Sequence, residues 1–196
     1  VYAASLGKFF RNNIRDFSNP LKLKVNINIK NKIKKKLEKY KKKQLIGISW
    51  YSESKSLNSK SINLNDFNKL FQNNNYLFIN LQYGSAANEI NKSKKFKKKI
   101  VNFNEIDIYN DIESLIALID CLDSIITIDN INVQIAGLLG KKTFVITPYN
   151  NEYILYSRSN FGNCDWYPLN KIYYLNMNKT NINKEFNKIL RDLWKF

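Results

Sequence analysis

The sequence predicts an α/β protein, a Rossmann-like parallel sheet flanked by helices, and three observations carry that expectation. Short apolar runs rich in β-branched residues, such as Ile125 to Ile128 and Thr143 to Ile146, read as buried strands. Other stretches repeat apolar residues at helical spacing; Asn110 to Leu122 is the plainest, with Ile112, Leu115, Ile116 and Ile119. The two kinds alternate along the chain, and such alternation argues for a parallel sheet with helices covering its faces.

Val1 to Pro20 mixes aromatic residues with Arg and reads as a loop-rich segment that packs on something else. Asn31 to Gln44 is a Lys-dense helix whose apolar line is only Ile33, Leu37 and Tyr40, a pattern suited to a surface connector. Leu45 to Trp50 opens a cleaner domain as its first strand, and a polar loop follows as far as Ser61. The expected division is therefore residues 1–44 and residues 45–196. Asn65 to Gln72 reads as a helix with Phe67, Leu70 and Phe71 on one face. Tyr76 to Gln82 is the next strand, turned by Tyr83-Gly84. Lys92 to Val101 is basic and irregular, ending in a short strand around Ile100. The helix from Asn110 to Leu122 starts with a capping-box-like pair, Asn110 and Glu113.

The stretch Ser124 to Pro148 is the most informative. Its strand, Ile125 to Ile128, is followed at once by Asp129, Asn130 and Asn132, types that favour turns and helix N-caps. Val133 to Leu139 is an apolar helix containing Ala136 and Gly137, Gly140 sits where it would end, and a second strand runs to Pro148. A Tyr- and Asn-rich loop then reaches Trp166, and Ile172 to Leu175 is the last strand. Thr180 to Phe196 closes the chain as an amphipathic helix through Ile182, Phe186, Ile189, Leu190 and Leu193.

Composition narrows the function. Hydrophobic residues at 44% and aromatics at 14% of 196 residues are enough to bury the core of one ordinary domain. The formal charge of +16 first points to nucleic acid. Abundant Lys, Asn and Ile beside 6 Gly and 3 Pro is instead the pattern of AT-rich codons, and the Lys runs at 34–36, 41–43 and 97–99 read as solvated faces. No specific nucleic-acid partner is expected, while peripheral contact of the basic surface with an anionic membrane fits the charge. The count of His is 0, which removes the usual general base, the triads built on it and most catalytic zinc sites. Cys121 lies on an apolar helix face and Cys164 in a loop beside Trp166, so neither a disulfide framework nor a metal cluster is expected. The expected cofactor is none. Val1 to Leu6 is too short an apolar run for a signal peptide, no stretch approaches a membrane span, and the expected location is cytoplasmic. The opening Val, where a complete chain has Met, reads as a processed or truncated start.

In a parallel sheet the strand C-termini share one edge, where ligands bind. That edge collects Ser49, Trp50 and Tyr51; Gln82, Tyr83 and Gly84; and Asp129, Asn130 and Asn132. The first loop adds Lys55, Lys60 and Ser61, suited to a phosphate as point charges and a hydroxyl donor. The short turn after Ile128 aims backbone N–H groups and the positive end of a helix dipole at the same edge. Each residue also has a plainer reading. Asp129 and Asn132 read equally as helix caps, Gly84 as a tight turn, Lys60 as a solvated lysine, and Gly137 as a place for close helix–sheet packing. Trp166 and Tyr167 read as lids on the core in preference to sugar platforms.

The order GISW, KSINL, INLQYG, DIYNDIESLIALIDCLDSIITIDNINVQIAGLLGKKTFVITP and DWYP resembles the donor-side half of GT-B glycosyltransferases. More narrowly, it is similar to the heptosyltransferase family and to its relatives fused to tetratricopeptide repeats, whose donor half is preceded by a segment like SLGKFFR. The family pattern is Asp-Thr, a short turn, His, then an apolar helix closing on Ala-Gly-Ala-Leu-Gly. Here Asn130 follows Asp129, and Gln134 stands at the His position.

The resemblance implies the C-terminal lobe of a GT-B fold over residues 45–196, with residues 1–44 as the end of the acceptor lobe and a helical connector. It implies inverting, metal-independent transfer of a hexosyl or heptosyl group, when full length, from a nucleotide-diphosphate sugar donor. The acceptor it implies is a glycan, a lipid-linked molecule or a protein. The donor diphosphate is expected near Ser49 to Tyr51 and Asp129 to Asn132, with Lys60, Ser61, Gln82, Tyr83, Gly84 and Gln134 completing the site. The closing helix is expected to cross to the other lobe. Asn130 and Gln134 still donate hydrogen bonds to phosphate, but neither carries charge nor acts as a base. Two other readings therefore stand beside the enzyme: a degenerate, non-catalytic interaction module of a repeat protein, and a basic nucleic-acid-binding domain. No residue is named as the catalytic base.

Overall fold

The computed structural model describes residues 7–17, 22–52, 60–148, 164–175 and 182–194. Val1 to Leu6, Lys55, the stretch 149–163 and the helix ends at Thr180 and Phe196 lie outside them.

Among the described residues, strands β1 (Gln44–Ser49), β2 (Tyr76–Asn80), β3 (Ile100–Val101), β4 (Ser124–Ile128), β5 (Lys142–Pro148) and β6 (Asn170–Leu175) form one sheet in the order β3-β2-β1-β4-β5-β6. Every pair is parallel. The helices are α1 (Gly7–Phe10), α2 (Ile27–Leu37), α3 (Asn68–Phe71), α4 (Lys94–Lys99), α5 (Ile112–Asp120), α6 (Ile131–Leu138) and α7 (Ile182–Trp194). None is long and apolar enough to cross a membrane.

Strand alternation sorts side chains to the two faces. Ile46, Ile48, Phe78, Ile126, Phe144 and Ile146 join one core cluster, covered by Phe71 of α3, Phe96 of α4, and Phe186, Ile189 and Leu193 of α7. Leu45, Leu77, Ile79 and Ile125 point the other way, under Ile33 and Leu37 of α2, Leu115, Leu118 and Ile119 of α5, and Ile135 and Ala136 of α6. Aromatic rings carry much of the first face: Phe71 meets Phe78 edge-on at 4.8 Å, and Phe67 meets Phe186 at 5.0 Å. Right-handed crossovers explain which helix lies where. From β1 the chain steps to β2 and β3 with α3 and α4 on one face; α5 and α6 connect strands in the opposite direction, so they cover the other.

Several local expectations are corrected. The Lys-dense helix runs Ile27–Leu37 because Asn26 caps it, its side chain accepting from the N–H groups of Asn28 and Ile29. Ile33 and Leu37 of its expected apolar line are buried, and the helix packs against α5. The cap of α5 is Asp111, which accepts from the Ser114 N–H at 3.0 Å, in place of Asn110, and Ile112 is exposed. Lys94–Lys99 is a helix and not irregular chain, capped by Ser93, with Phe96 turned inward. Cys121 is half-buried at the end of α5, Cys164 is buried, and neither is in a disulfide. The N-terminal segment does pack on something: the Arg11 guanidinium lies 5.6 Å from the Phe17 ring and 5.7 Å from the Trp166 ring. Gly140 ends the α6 turn in the left-handed region, φ 65°, as its position predicts.

The lysine runs are distributed to both sides. Lys34 to Lys36 ride on α2 and Lys97 to Lys99 on α4, which cover opposite faces of the sheet. They do not form the single footprint that a nucleic-acid duplex engages.

Candidate functional site

β1 and β4 are neighbours in the sheet, yet the chain leaves them in opposite directions, toward β2 and toward β5. In open α/β sheets such a reversal is the topological switch point, the crevice at the C-terminal edge where ligands bind.

The floor of that crevice is a closed polar network. Ser49 and Thr127 are register partners, with their hydroxyl oxygens 2.5 Å apart. Ser49 Oγ also accepts from Asn130 Nδ2 and Asn132 Nδ2, each at 3.0 Å. With both acceptor positions filled, the Ser49 proton goes to Thr127 Oγ1, which itself donates to the Ile128 carbonyl at 2.9 Å. Asn132 Nδ2 reaches the Leu81 carbonyl as well, at 3.3 Å. Ser49 and Asn132 are 1% exposed, so they underlie the crevice where the sequence reading had them lining it. Asn132 Oδ1 is buried and finds no partner among the described residues, the one acceptor this network leaves open.

Asn130 is the cap of α6: its Oδ1 accepts from the Asn132 N–H at 3.0 Å, and its carbonyl from the Val133 N–H at 3.1 Å. The capping alternative for Asp129 is thereby corrected. Asp129 instead holds Lys60, with Nζ 3.0 Å from Oδ2 and side chains 19% and 11% exposed. Lys60 arrives from the loop after β1 because that loop closes on itself. Ser61 Oγ accepts from the Ser52 N–H at 3.0 Å and donates to the Ser52 carbonyl at 3.3 Å.

Gln82 is also a tie and not a lining group. It is 1% exposed, and its Oε1 accepts from the N–H groups of Trp50 and Tyr51 at 3.0 and 2.9 Å. Its Nε2 donates to the Tyr83 carbonyl at 2.9 Å. One side chain thus fixes the loops after β1 and β2 to each other. Tyr51 is exposed above this tie. Gly84 turns the chain at φ 73°, a conformation L side chains rarely adopt. Beyond it a cleft of about 280 Å³ opens between the ends of β2 and β3, with Tyr83, Asn102 and Tyr109 among its walls. The Tyr83 and Tyr109 rings are 5.4 Å apart.

Gln134 accepts a hydrogen bond from the Tyr167 hydroxyl at 2.8 Å. The same ring explains Gly137: a Cβ there would lie 2.3 Å from Tyr167 Cγ, so the glycine admits Tyr167, and helix–sheet packing is not its reason. Of the residues named from sequence, Lys60, Asp129, Asn130 and Ser61 surround the switch point. Ser49, Gln82 and Asn132 support it from below. Gln134 is engaged on the Tyr167 side of α6. Thr127 and Tyr109 were missed; the signal for Thr127 was a hydroxyl between Ile126 and Ile128 of β4.

No protein-family model and no curated protein matches the chain. Solved structures do share its fold. The ADP-heptose LPS heptosyltransferase II of E. coli superposes with a TM-score of 0.59 at 15% identity, covering 93% of this chain and 58% of that one. A family 9 glycosyl transferase of Veillonella parvula gives 0.52 at 11% identity, covering 86% of this chain and 46% of that one. The wall teichoic acid polymerase TagF gives 0.51 at 16% identity, covering 86% of this chain and 39% of that one. The architecture is therefore a Rossmann-like lobe of the GT-B type of fold, spanning about half the length of the proteins it matches.

Proposed function

We propose that this lobe binds a nucleotide-diphosphate sugar, with the diphosphate at the β1/β4 switch point, and serves inverting, metal-independent glycosyl transfer in the full-length protein. The observation that carries the reading is the Lys60 ammonium, brought over the ends of β1 and β4 beside the N-terminus of α6 and held there by a carboxylate. A diphosphate displaces that carboxylate, and the ammonium and the helix dipole then face the charge that grows on the leaving group as the glycosidic bond breaks. The cleft walled by Tyr83 and Tyr109 is the place for the nucleoside, since an aromatic wall beside asparagine amides suits a flat polar ring. The base that takes the acceptor's proton belongs to the other lobe in this scheme.

Isothermal titration of the full-length protein with the diphosphates of adenosine, uridine, guanosine and cytidine tests the reading. At least one should bind, and Lys60→Met should weaken it about tenfold, the worth of one charge-assisted contact. No binding by folded protein at about millimolar concentration would sink the proposal. A non-catalytic interaction module remains the second reading, favoured by the engagement of Gln134 with Tyr167. It predicts no sugar transfer from any donor.

A further inference from the structure

The opposite edge of the sheet, where β1, β4, β5 and β6 begin, holds an open cleft of about 710 Å³. Leu122, Phe144 and Leu169 give it an apolar wall, and Lys142, Asn170 and Asp192 supply polar groups. The length of the strands separates it from the switch point.

Two features distinguish it from an ordinary surface hollow. Asn170 is 1% exposed, and both Oδ1 and Nδ2 of its side chain find no partner among the described residues. A buried amide left unpaired is costly, so such groups in native proteins are normally satisfied by something. Beside it, Lys142 Nζ donates to the main-chain carbonyl of Asp192 at 2.8 Å and lies 5.0 Å from the Phe144 ring centroid. Several charged groups face this ammonium or lie close to it. Asp192 on α7 takes Lys171 of β6 at 2.5 Å and the Tyr173 hydroxyl at 2.6 Å. Asp123, before β4, accepts from the Leu45 N–H at 2.7 Å. Lys141 reaches Asp120 and the Leu122 carbonyl. Burial pulls Lys142 down to about 8; Asp192 opposes the shift and Lys171 adds to it.

We propose that this cleft is a second binding site, for a small organic anion whose carboxylate or phosphoryl head meets Lys142 and the Asn170 amide and whose apolar body lies on Leu122, Phe144 and Leu169. The site is independent of the nucleotide-sugar reading. An anionic head favours the charged form of Lys142, so its pKa rises on binding. Near pH 8, where the free side chain is partly neutral, the complex takes up a proton. At about pH 6 the lysine is already charged and no uptake occurs.

The experiment titrates full-length protein with octanoate, phenyl phosphate and inorganic phosphate, read by amide NMR and by calorimetry in buffers of different ionisation enthalpy. Octanoate or phenyl phosphate should move the amides of Lys142, Phe144 and Asn170 and leave Asp129 and Asn130 in place, and the tighter of the two identifies the head group. Inorganic phosphate should bind about tenfold more weakly or not at all, because it lacks the apolar body. Lys142→Gln should weaken binding about tenfold and abolish the proton uptake. The proposal falls if neither organic probe moves this edge at about 10 mM, or if inorganic phosphate binds as tightly as they do. Unchanged affinity in Lys142→Gln overturns it too. Should that variant fail to fold, wild-type protein binding at pH 8 without proton uptake is equally decisive.

Discussion

Ser49→Ala is expected to lose about 3 kcal/mol of folding stability, far more than removing one hydroxyl at a surface would cost. Ser49 Oγ meets Thr127, Asn130 and Asn132 at once. Its removal leaves the Asn130 amide without that acceptor, while Asn132 keeps only the long bond to the Leu81 carbonyl. A buried polar group so stranded, as Asn132 is, costs about 1–3 kcal/mol, and the half-buried Asn130 amide adds to it. Guanidinium unfolding with an unchanged slope measures the loss. In a double-mutant cycle with Asn132→Leu the second substitution should cost clearly less in the Ser49→Ala background, because the two share one contact. A loss below about 1 kcal/mol, with additive behaviour, would show that the network is not structural.

Gly137→Ala is expected to destabilise the lobe by about 2–4 kcal/mol, against the usual preference of a helix for alanine. The new Cβ would lie 2.3 Å from Tyr167 Cγ and 2.4 Å from its Cδ1, at the root of the ring, where no rotation of the ring relieves the clash. Tyr167 would leave its place against Val133, Val145 and Ile172 and lose its bond to Gln134. The sign of the effect should reverse in a Tyr167→Ala background, where the ring atoms nearest the added methyl are gone and helix propensity returns about 1 kcal/mol. Thermal unfolding of the four proteins decides it: a stabilising Gly137→Ala in the wild-type background contradicts the packing.

The layered fold was legible because strand residues such as Ile46 and Ile48, or Ile125 and Ile126, carry local hydrophobic signals that do not depend on distant partners. Helix ends were less so. Asn110 and Asp111 are both capping types, and only the geometry of the turn chooses Asp111. The start of α2 was hidden because lysines outnumber its two buried residues, Ile33 and Leu37. In the site, the edge and the residue types were readable, but the direction of each side chain was not. Ser49 turns down because β1 and β4 pair with Ser49 opposite Thr127, a register between residues 78 apart. Lys60 and Asp129 meet across 69 residues, which no spacing motif announces.

If the crevice takes a diphosphate as proposed, that ion pair bears on which anions it would admit. Asp129 is tethered within reach of Lys60, so it competes as a ligand permanently present at high local concentration. A free monoanion that displaces it merely exchanges one unit charge for another and gains nothing. A diphosphate brings more charge than the carboxylate it replaces, and its second phosphoryl group can remain near the lysine while the first is drawn toward α6. On the proposed function, the crevice would select by valence before shape, with a residue of the protein itself competing against monoanions.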